Sequence, residues 1–352
     1  MWFGNLVTCD SWEYLWLNEG FATYFQWNIM ESIRPKWRWI DTFIVHEMFF
    51  ALEVDSAVDS KSINEKQKDY IDDLNDVKAT SIIYIKAACI IRMVEHAFGA
   101  EVLHHALKYY LKENQLKTVT PSKLWAALDM KIHEMGDISK INQSVSTLME
   151  SWTSQSGYPV VHVNRVHGNL SLTQERFFIT KRNESSTQLY WIPISIASKT
   201  NPNFSNTSPT LWMGSKKMLT SLSIADDEWF ILNVQQTGFY RVNYDVITWK
   251  NLFKALNQDN FGGIPEIHRA QIINDLFNLA RGGYISYDLV IAGSKYLLNE
   301  KSKLPWQAFN ENFHTLNKEL NNEDTTIYSK EHFKKQDYHN CMYQESSSVR
   351  RS

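Results

Sequence analysis

The spacing of the hydrophobic residues changes twice along the chain, and this limits the possible folds more than any other feature. Up to about residue 155, apolar residues recur every three or four positions, as between Leu103 and Leu111, which predicts helices. From about 158 to 245 they alternate with polar residues, which predicts short strands. From Trp249 the helical spacing returns. The pattern predicts a multidomain α+β chain.

Local signals refine this picture. Thr120-Pro121-Ser122 predicts a helix start with proline in the first turn. Ile272, Leu276, Leu279 and Ala280 form one stripe at helical spacing, which predicts a helix closed by Gly282-Gly283. The alternating runs predict a small antiparallel sandwich or sheet, with strands at Val161, Val163, Leu170, Leu172 and Phe178, from Leu189 to Ser195, and from Phe230 to Val234.

Composition narrows the function classes. A net charge of -3 gives no general attraction to nucleic acid or to an anionic membrane. No apolar run reaches the roughly 18 residues of a membrane helix. The N-terminus has no basic region followed by an apolar stretch, so it predicts no signal peptide.

The cysteines and the glycosylation sequons are less informative. Three cysteines, with no C-x-x-C pair, predict buried or incidental thiols rather than a disulfide framework. Sequons of the N-x-S/T type cluster in the middle of the chain, which weakly indicates a secreted parent protein. They begin at Asn142, Asn169, Asn183, Asn203 and Asn206.

The first twenty-two residues carry the most specific motif. The chain opens with W-F-G-N-L-V-T at Trp2 and continues to L-W-L-N-E-G-F-A, which contains Glu19. These words resemble the zinc-site signature of the aminopeptidase N family, in which H-E-x-x-H is followed by eighteen residues and then a glutamate. With Met1 as the first of the eighteen, the glutamate falls at Glu19.

The resemblance implies a zinc site. Two histidines at i and i+4 share one face of a helix, and a glutamate from a following helix is the third ligand. Glu19 matches that ligand, whereas H-E-x-x-H does not occur in the chain. His46-Glu47 and His133-Glu134 begin such a motif but lack the second histidine, and the adjacent His104 and His105 point to different sides of a helix. We therefore expect one zinc ion in the intact family site, and no zinc held by this chain alone.

A second stretch is similar to the same family. The run I-Y-I-K-A-A-C-I-I-R-M from Ile83 to Met93 resembles S-Y-x-K-G-A-x-x-x-R-M. The tyrosine of that motif donates a hydrogen bond to the oxyanion of the tetrahedral intermediate, and Tyr84 matches it. The chain differs by having Ile83 for serine and Ala87 for glycine. A buried aromatic residue without a catalytic role is the alternative for Tyr84.

Further resemblances cover roughly residues 1 to 318 and predict the domains. W-T-S-Q-S-G-Y-P from Trp152 resembles the exit from the catalytic domain, and N-V-Q-Q-T-G-F-Y-R-V-N-Y-D from Asn233 resembles the closing strand of the β-domain. The fold class implied is the helical lobe of a thermolysin-like catalytic domain (1–155), a small β-sandwich (156–246) and the start of a C-terminal α-helical repeat domain (247–320). The polar stretch 321–352 is predicted to be a disordered tail.

The function implied is that of a zinc aminopeptidase acting on peptides, with a parent protein that is extracellular or associated with the plasma membrane. The segment Leu6-Val7-Thr8-Cys9-Asp10 is most similar to the insect gut type of the family. The alternative is a non-catalytic fragment or degenerate copy that acts as a binding scaffold. The two differ in whether an H-E-x-x-H motif is joined to the chain upstream of Met1.

Overall fold

The computed structural model describes residues 2–64, 77–135, 143–180 and 186–322, with side chains to residue 318. The predicted tail lies outside these residues except for 321 and 322, which end the last helix. The chain divides into two compact units, residues 1–308 and 309–352. Every candidate site residue lies in the first unit.

Helices dominate the first half of the chain. Two segments, π1 (Phe43–Met48) and π2 (Ser81–Lys86), are wound as π-helix between α-helical turns. The α-helices up to residue 153 are α1 (Trp16–Ile33), α2 (Trp39–Thr42), α3 (Phe49–Asp55), α4 (Val77–Thr80), α5 (Ala87–Phe98), α6 (Ala100–Asn114), α7 (Pro121–Met135) and α8 (Val145–Thr153).

The predicted helix signals are confirmed here. The periodic run from Leu103 lies in α6, and α7 begins at Pro121, where proline costs no helical hydrogen bond. Two short parallel strands, β1 (Val7–Cys9) and β2 (Lys117–Val119), tie the opening segment to the loop between α6 and α7.

The middle of the chain forms strands, as predicted. A four-stranded sheet has the order β10-β3-β4-β8, and two-stranded sheets join β5 to β7 and β6 to β9. The strands are β3 (Pro159–Val166), β4 (Asn169–Arg176), β5 (Ile192–Ile194), β6 (Ile196–Ser198), β7 (Leu211–Met213), β8 (Lys217–Ser223), β9 (Phe230–Leu232) and β10 (Arg241–Tyr244).

Details of this region differ from the prediction. The four-stranded sheet is mixed, because β10 pairs in parallel with β3. Phe178 lies beyond the end of β4, and Val234 lies in a short helical turn that follows Asn233, whose φ of 63° ends the extended run. Apolar residues continue past the end of β9 because the turn that follows is itself buried: Asn233 and Val234 are both 0% exposed.

Helices return after the sheet. They are α9 (Val246–Leu256), α10 (Glu266–Arg281), α11 (Tyr287–Ser294) and α12 (Lys303–Asn322). The predicted stripe lies in α10, and burial extends beyond it, because every residue from Ile267 to Ala280 is buried. Its polar side chains are enclosed because they bond to other elements, as Gln271 does to the carbonyl of Leu232. No helix in the described ranges is long and apolar enough to cross a membrane.

Candidate active site

Glu19 lies in the first turn of α1. Its backbone N–H donates to the carbonyl oxygen of Leu15 at 3.1 Å, which begins the helical ladder. The residue is half-buried. A carboxylate at this end of a helix is stabilised by the positive pole of the helix dipole.

The W-F-G-N segment packs on the same helix. The ring of Phe3 stacks on Phe21 with centroids 4.4 Å apart. Asn18 Nδ2 donates to Cys9 Sγ at 3.4 Å, so the side chain beside Glu19 reaches back to β1. Burial raises the pKa of the Cys9 thiol although the bond from Asn18 opposes this, which disfavours the thiolate that a metal requires. The first residues of the motif thus pack against the first turns of α1.

Tyr84 lies in π2, a segment of a rare helical type. π-Helices hold well under 1% of residues in soluble proteins and occur mainly as short bulges, frequently at functional sites. The extra residue per turn changes which side chains share a face with the helix that follows. Tyr84 is half-buried, whereas Ile83 before it and Lys86 after it are buried.

Helix α1 packs against both π2 and α5. One close approach involves Gly20 and Ala87, because a Cβ atom on Gly20 would come within 2.6 Å of the Cβ of Ala87. Gly20 directly follows Glu19, and Ala87 is three residues after Tyr84. The two candidate site residues therefore lie on elements in direct contact, near the point where Gly20 meets Ala87.

The described residues include no complete set of metal ligands. Within the part of the chain that the structure describes, no three or more His, Cys, Asp or Glu residues are grouped so that they could hold a metal ion. Zinc sites in proteins use three or four protein ligands. Glu19 supplies one carboxylate, so the described residues by themselves do not fit a zinc ion.

The incomplete H-E motifs lie on other elements than Glu19 and Tyr84. His46 is exposed on π1, where Gln307 Nε2 donates to its Nε2 at 2.6 Å. His133 is exposed near the end of α7, and Glu134 beside it pairs with Lys131 at 2.6 Å. The adjacent His104 and His105 are exposed on α6, with their rings edge to face.

A polar cavity of about 330 Å³ lies toward the other end of α1. Its lining includes Glu31, Arg92, Glu95 and His96, but neither Glu19 nor Tyr84. Burial lowers the pKa of His96 to about 3, so its imidazole is neutral at pH 7. Arg92 donates to the backbone carbonyls of Gln235 and Gln236 at 3.0 and 2.8 Å. This arginine therefore fixes α5 to the turn after β9.

Sequence reasoning missed one feature next to Tyr84. Lys86 and Asp55 form an ion pair at 2.8 Å, with both side chains fully enclosed. The available signal was a lysine inside the apolar run from Ile82 to Ile91, since an enclosed lysine requires a charged partner. That signal does not reveal which of the 39 acidic residues is the partner.

Comparison with known proteins covers nearly the whole chain. Residues 1–152 match the family model described as the peptidase family M1 domain, and residues 229–337 match the ERAP1-like C-terminal domain. The chain is 36% identical over 327 residues, 91% of its length, to an aminopeptidase N of Plutella xylostella. It is also 36% identical over 91% of its length to a membrane alanyl aminopeptidase of Heliothis virescens, and 32% identical over 87% to a human aminopeptidase Q.

The chain is shorter than these relatives. It spans 34% of the Plutella protein, 32% of the Heliothis protein and 31% of the human protein. The similarity therefore runs along almost all of this chain but along only about a third of each relative.

Proposed function

Because the chain belongs to the aminopeptidase N family of M1 peptidases, we propose that it carries part of the active site of an enzyme that removes N-terminal amino acids from peptides. The observation that supports this most is the position of the two family motifs. L-N-E-G-F-A starts α1, the tyrosine motif spans π2 and α5, and these elements pack together beside Glu19 and Tyr84. The substrates proposed are peptides with a free N-terminus.

Glu19 is proposed as one ligand of the zinc ion of the whole enzyme. The described residues do not fit zinc alone, so the remaining ligands must come from an H-E-x-x-H helix joined to them. When bound, the metal would supply Lewis-acid chemistry at the scissile carbonyl. Glu19 at the start of α1 has the charge and the half-buried position that a ligand requires.

Tyr84 is proposed to stabilise the oxyanion. When water adds to the scissile carbonyl, negative charge develops on the carbonyl oxygen, and a fixed phenol can donate a hydrogen bond to it. The packing of π2 against α1 and α3 limits the movement of the backbone that carries this phenol. Such a donor contributes most when it is held in place before the reaction starts.

The parent protein is proposed to be extracellular or associated with a membrane. Two of the relatives named above are aminopeptidases of insects, one of them named as a membrane protein. The sequons at Asn203 and Asn206 agree with this proposal, since both asparagines are exposed on the loop between β6 and β7.

The experiment that tests this proposal compares the chain alone with a fusion. The fusion adds, before Met1, the part of a close family member that ends with its H-E-x-x-H helix and preserves eighteen residues before Glu19. The chain alone should hydrolyse no alanyl chromogenic substrate when zinc is added, because one carboxylate holds zinc poorly. The fusion should gain turnover that a chelator abolishes.

The Glu19→Gln fusion is the matched control. A neutral amide is a poorer ligand than a carboxylate, so this variant should bind less zinc and lose turnover. Chelator-sensitive turnover by the pure chain, or a folded and zinc-loaded fusion without turnover, would contradict the proposal. The second outcome would favour the scaffold alternative.

A further inference from the structure

The enclosed ion pair of Lys86 and Asp55 lies where three parts of the chain meet. Asp55 is the last residue of α3, and Lys86 is the last residue of π2. Gly157, in the loop between α8 and β3, bonds to both of them. Its N–H donates to Asp55 Oδ1 at 3.1 Å, and its carbonyl accepts from Lys86 Nζ at 3.0 Å.

Each member of this group depends on the others. Both charged side chains are 0% exposed, so water does not compensate either charge. Among the described residues, Asp55 Oδ2 is compensated only by the Lys86 ammonium, 2.8 Å away. The same ammonium lies 5.8 Å from the ring centre of Phe239, just before β10.

The position of Gly157 is equally restricted. Its φ of +75° is a left-handed conformation that favours glycine, and the side chain of Arg176 occupies the place of a Cβ atom. Arg176 in turn donates to the carbonyl of Ala57 at 3.1 Å, just after α3. Two contacts therefore join the loop before β3 and the neighbouring end of β4 to the end of α3: the bond from Gly157 to Asp55 and the bond from Arg176 to Ala57.

We infer that Lys86 is a positioning residue for Tyr84: with Asp55 and Gly157 it clamps the end of π2 to the loop that enters the sheet. Lys86 is two residues from Tyr84 in the same π-helical segment. Ala87, which follows it, meets Gly20 of α1. The clamp thus holds the end of π2 while α1 packs along the same segment, so both hold the backbone that carries the phenol. Its catalytic consequence rests on the role proposed above for Tyr84.

Amide exchange of the unmutated chain gives the first test. If the clamp is one cooperative unit, the amides of π2 and of Gly157 should open together, with protection factors that agree within about tenfold. The inference would be overturned if the amides of π2 exchanged faster than that of Gly157 by orders of magnitude. The two parts would then open separately.

Variants separate positioning from stability. Lys86→Met leaves the Asp55 carboxylate enclosed and unpaired, so it should destabilise the whole chain. Lys86→Met/Asp55→Asn removes both charges and should recover most of that loss, but Gly157 O still lacks its donor. In chain labelled with 3-fluorotyrosine, the double variant should therefore still shift or broaden the fluorine resonance of Tyr84, which Tyr84→Phe assigns among the 16 tyrosines.

A second enclosed pair serves as the matched control. Arg269 and Glu300 form a two-bond contact at 2.6 and 2.9 Å that links α10 to the segment before α12. Arg269→Met/Glu300→Gln should leave the Tyr84 resonance unmoved. An unmoved Tyr84 resonance in the Lys86/Asp55 double variant, or an equal shift in the control, would overturn the inference.

These readouts are independent of turnover. An active fusion in which the Lys86/Asp55 double variant leaves Tyr84 unmoved would refute the clamp and leave the proposed function intact. A moved Tyr84 resonance, together with a fusion that never gains turnover, would support the clamp and refute the proposed function.

Discussion

At Gly20, α1 comes too close to α5 for a side chain to fit. The methyl group of Ala87 faces it, and the side chain of Ile91 lies 3.4 Å from the place of an added Cβ. Cores of this density have no room for an extra methyl group unless the backbone moves. The chain has alanine at 87 where the family motif has glycine, so glycine at position 20 provides the space that this contact requires.

Gly20→Ala should therefore lower the free energy of unfolding. Overpacking costs about 1–3 kcal/mol, which should outweigh the helix-propensity gain of about 1 kcal/mol. Denaturant titration followed by circular dichroism measures the difference. Gly20→Ala/Ala87→Gly moves the methyl group to the other helix and should recover most of the loss. A stabilised Gly20→Ala chain would show that the two helices are not tightly packed at this point.

At this scale the sequence was most informative where a motif is contiguous. Glu19 and Tyr84 are predicted as site residues because their neighbours form contiguous family motifs, and their roles remain predictions. Asp55 was not, because its partner Lys86 is distant in the chain and only folding encloses the two together. An enclosed ion pair produces no periodic pattern in the sequence. The partner of a buried charged residue is therefore known only from the tertiary contacts.

Helix α10 shows how an element can be buried on all sides and still carry charges. Asp275 accepts from Arg241 Nη1 at 3.1 Å and from the N–H of Val242 at 3.3 Å. Arg241 also donates to Asn274 Oδ1 at 2.6 Å. Burial raises the pKa of Asp275 to about 6 although Arg241 opposes this. The periodic pattern predicts the helix but not the burial of Asp275, because its partners Arg241 and Val242 belong to the sheet.

Arg241→Met should be strongly destabilising. It leaves Asp275 enclosed without its cation, a change that typically costs about 3–5 kcal/mol. The free energy of unfolding from denaturant titration measures this. The control is Lys131→Ala, which breaks the more exposed pair with Glu134 and should cost less than about 1 kcal/mol. Equal effects of the two variants would mean that Arg241 is not enclosed as described.

Across the whole molecule, a few buried titratable groups set the dependence of stability on pH. Burial lowers the pKa of His268 to about 4 and that of His96 to about 3, from an ordinary value of 6.5. Below pH 6.5 the unfolded chain therefore binds two protons that the folded chain does not. Asp275 acts in the opposite direction, because with a pKa near 6 the folded chain binds one proton that the unfolded chain does not.

Stability should therefore fall as the pH is lowered from 6.5 to 5. Two protons gained by the unfolded chain minus one gained by the folded chain leave a slope of about 1.4 kcal/mol per pH unit between pH 6 and 5. Urea titrations at several pH values measure it. His268→Gln removes one of the two and should bring the slope close to zero. An unchanged slope in this variant would mean that His268 takes up its proton in the folded chain.

The spacing of the hydrophobic residues predicts the order of helices, strands and helices. It does not predict that β10 pairs in parallel with β3. The spacing of hydrophobic residues indicates which side chains are buried. The direction of a strand in a sheet depends instead on how segments distant in the chain come together. The predicted domain limits at 155, 246 and 320 remain predictions. The predicted disorder of the tail falls on residues that the structure does not describe, apart from 321 and 322.

The central claim is that Glu19 and Tyr84 serve one catalytic site. Its most direct test is the effect of Tyr84→Phe on the turnover number of the zinc-loaded fusion. We expect a roughly 10²- to 10³-fold loss with zinc content unchanged, the usual cost of removing one oxyanion donor. Tyr109→Phe, on an exposed tyrosine of α6, is the control and should change nothing. An unchanged turnover number in the folded, zinc-loaded Tyr84→Phe fusion would contradict the claim and make Tyr84 a packing residue.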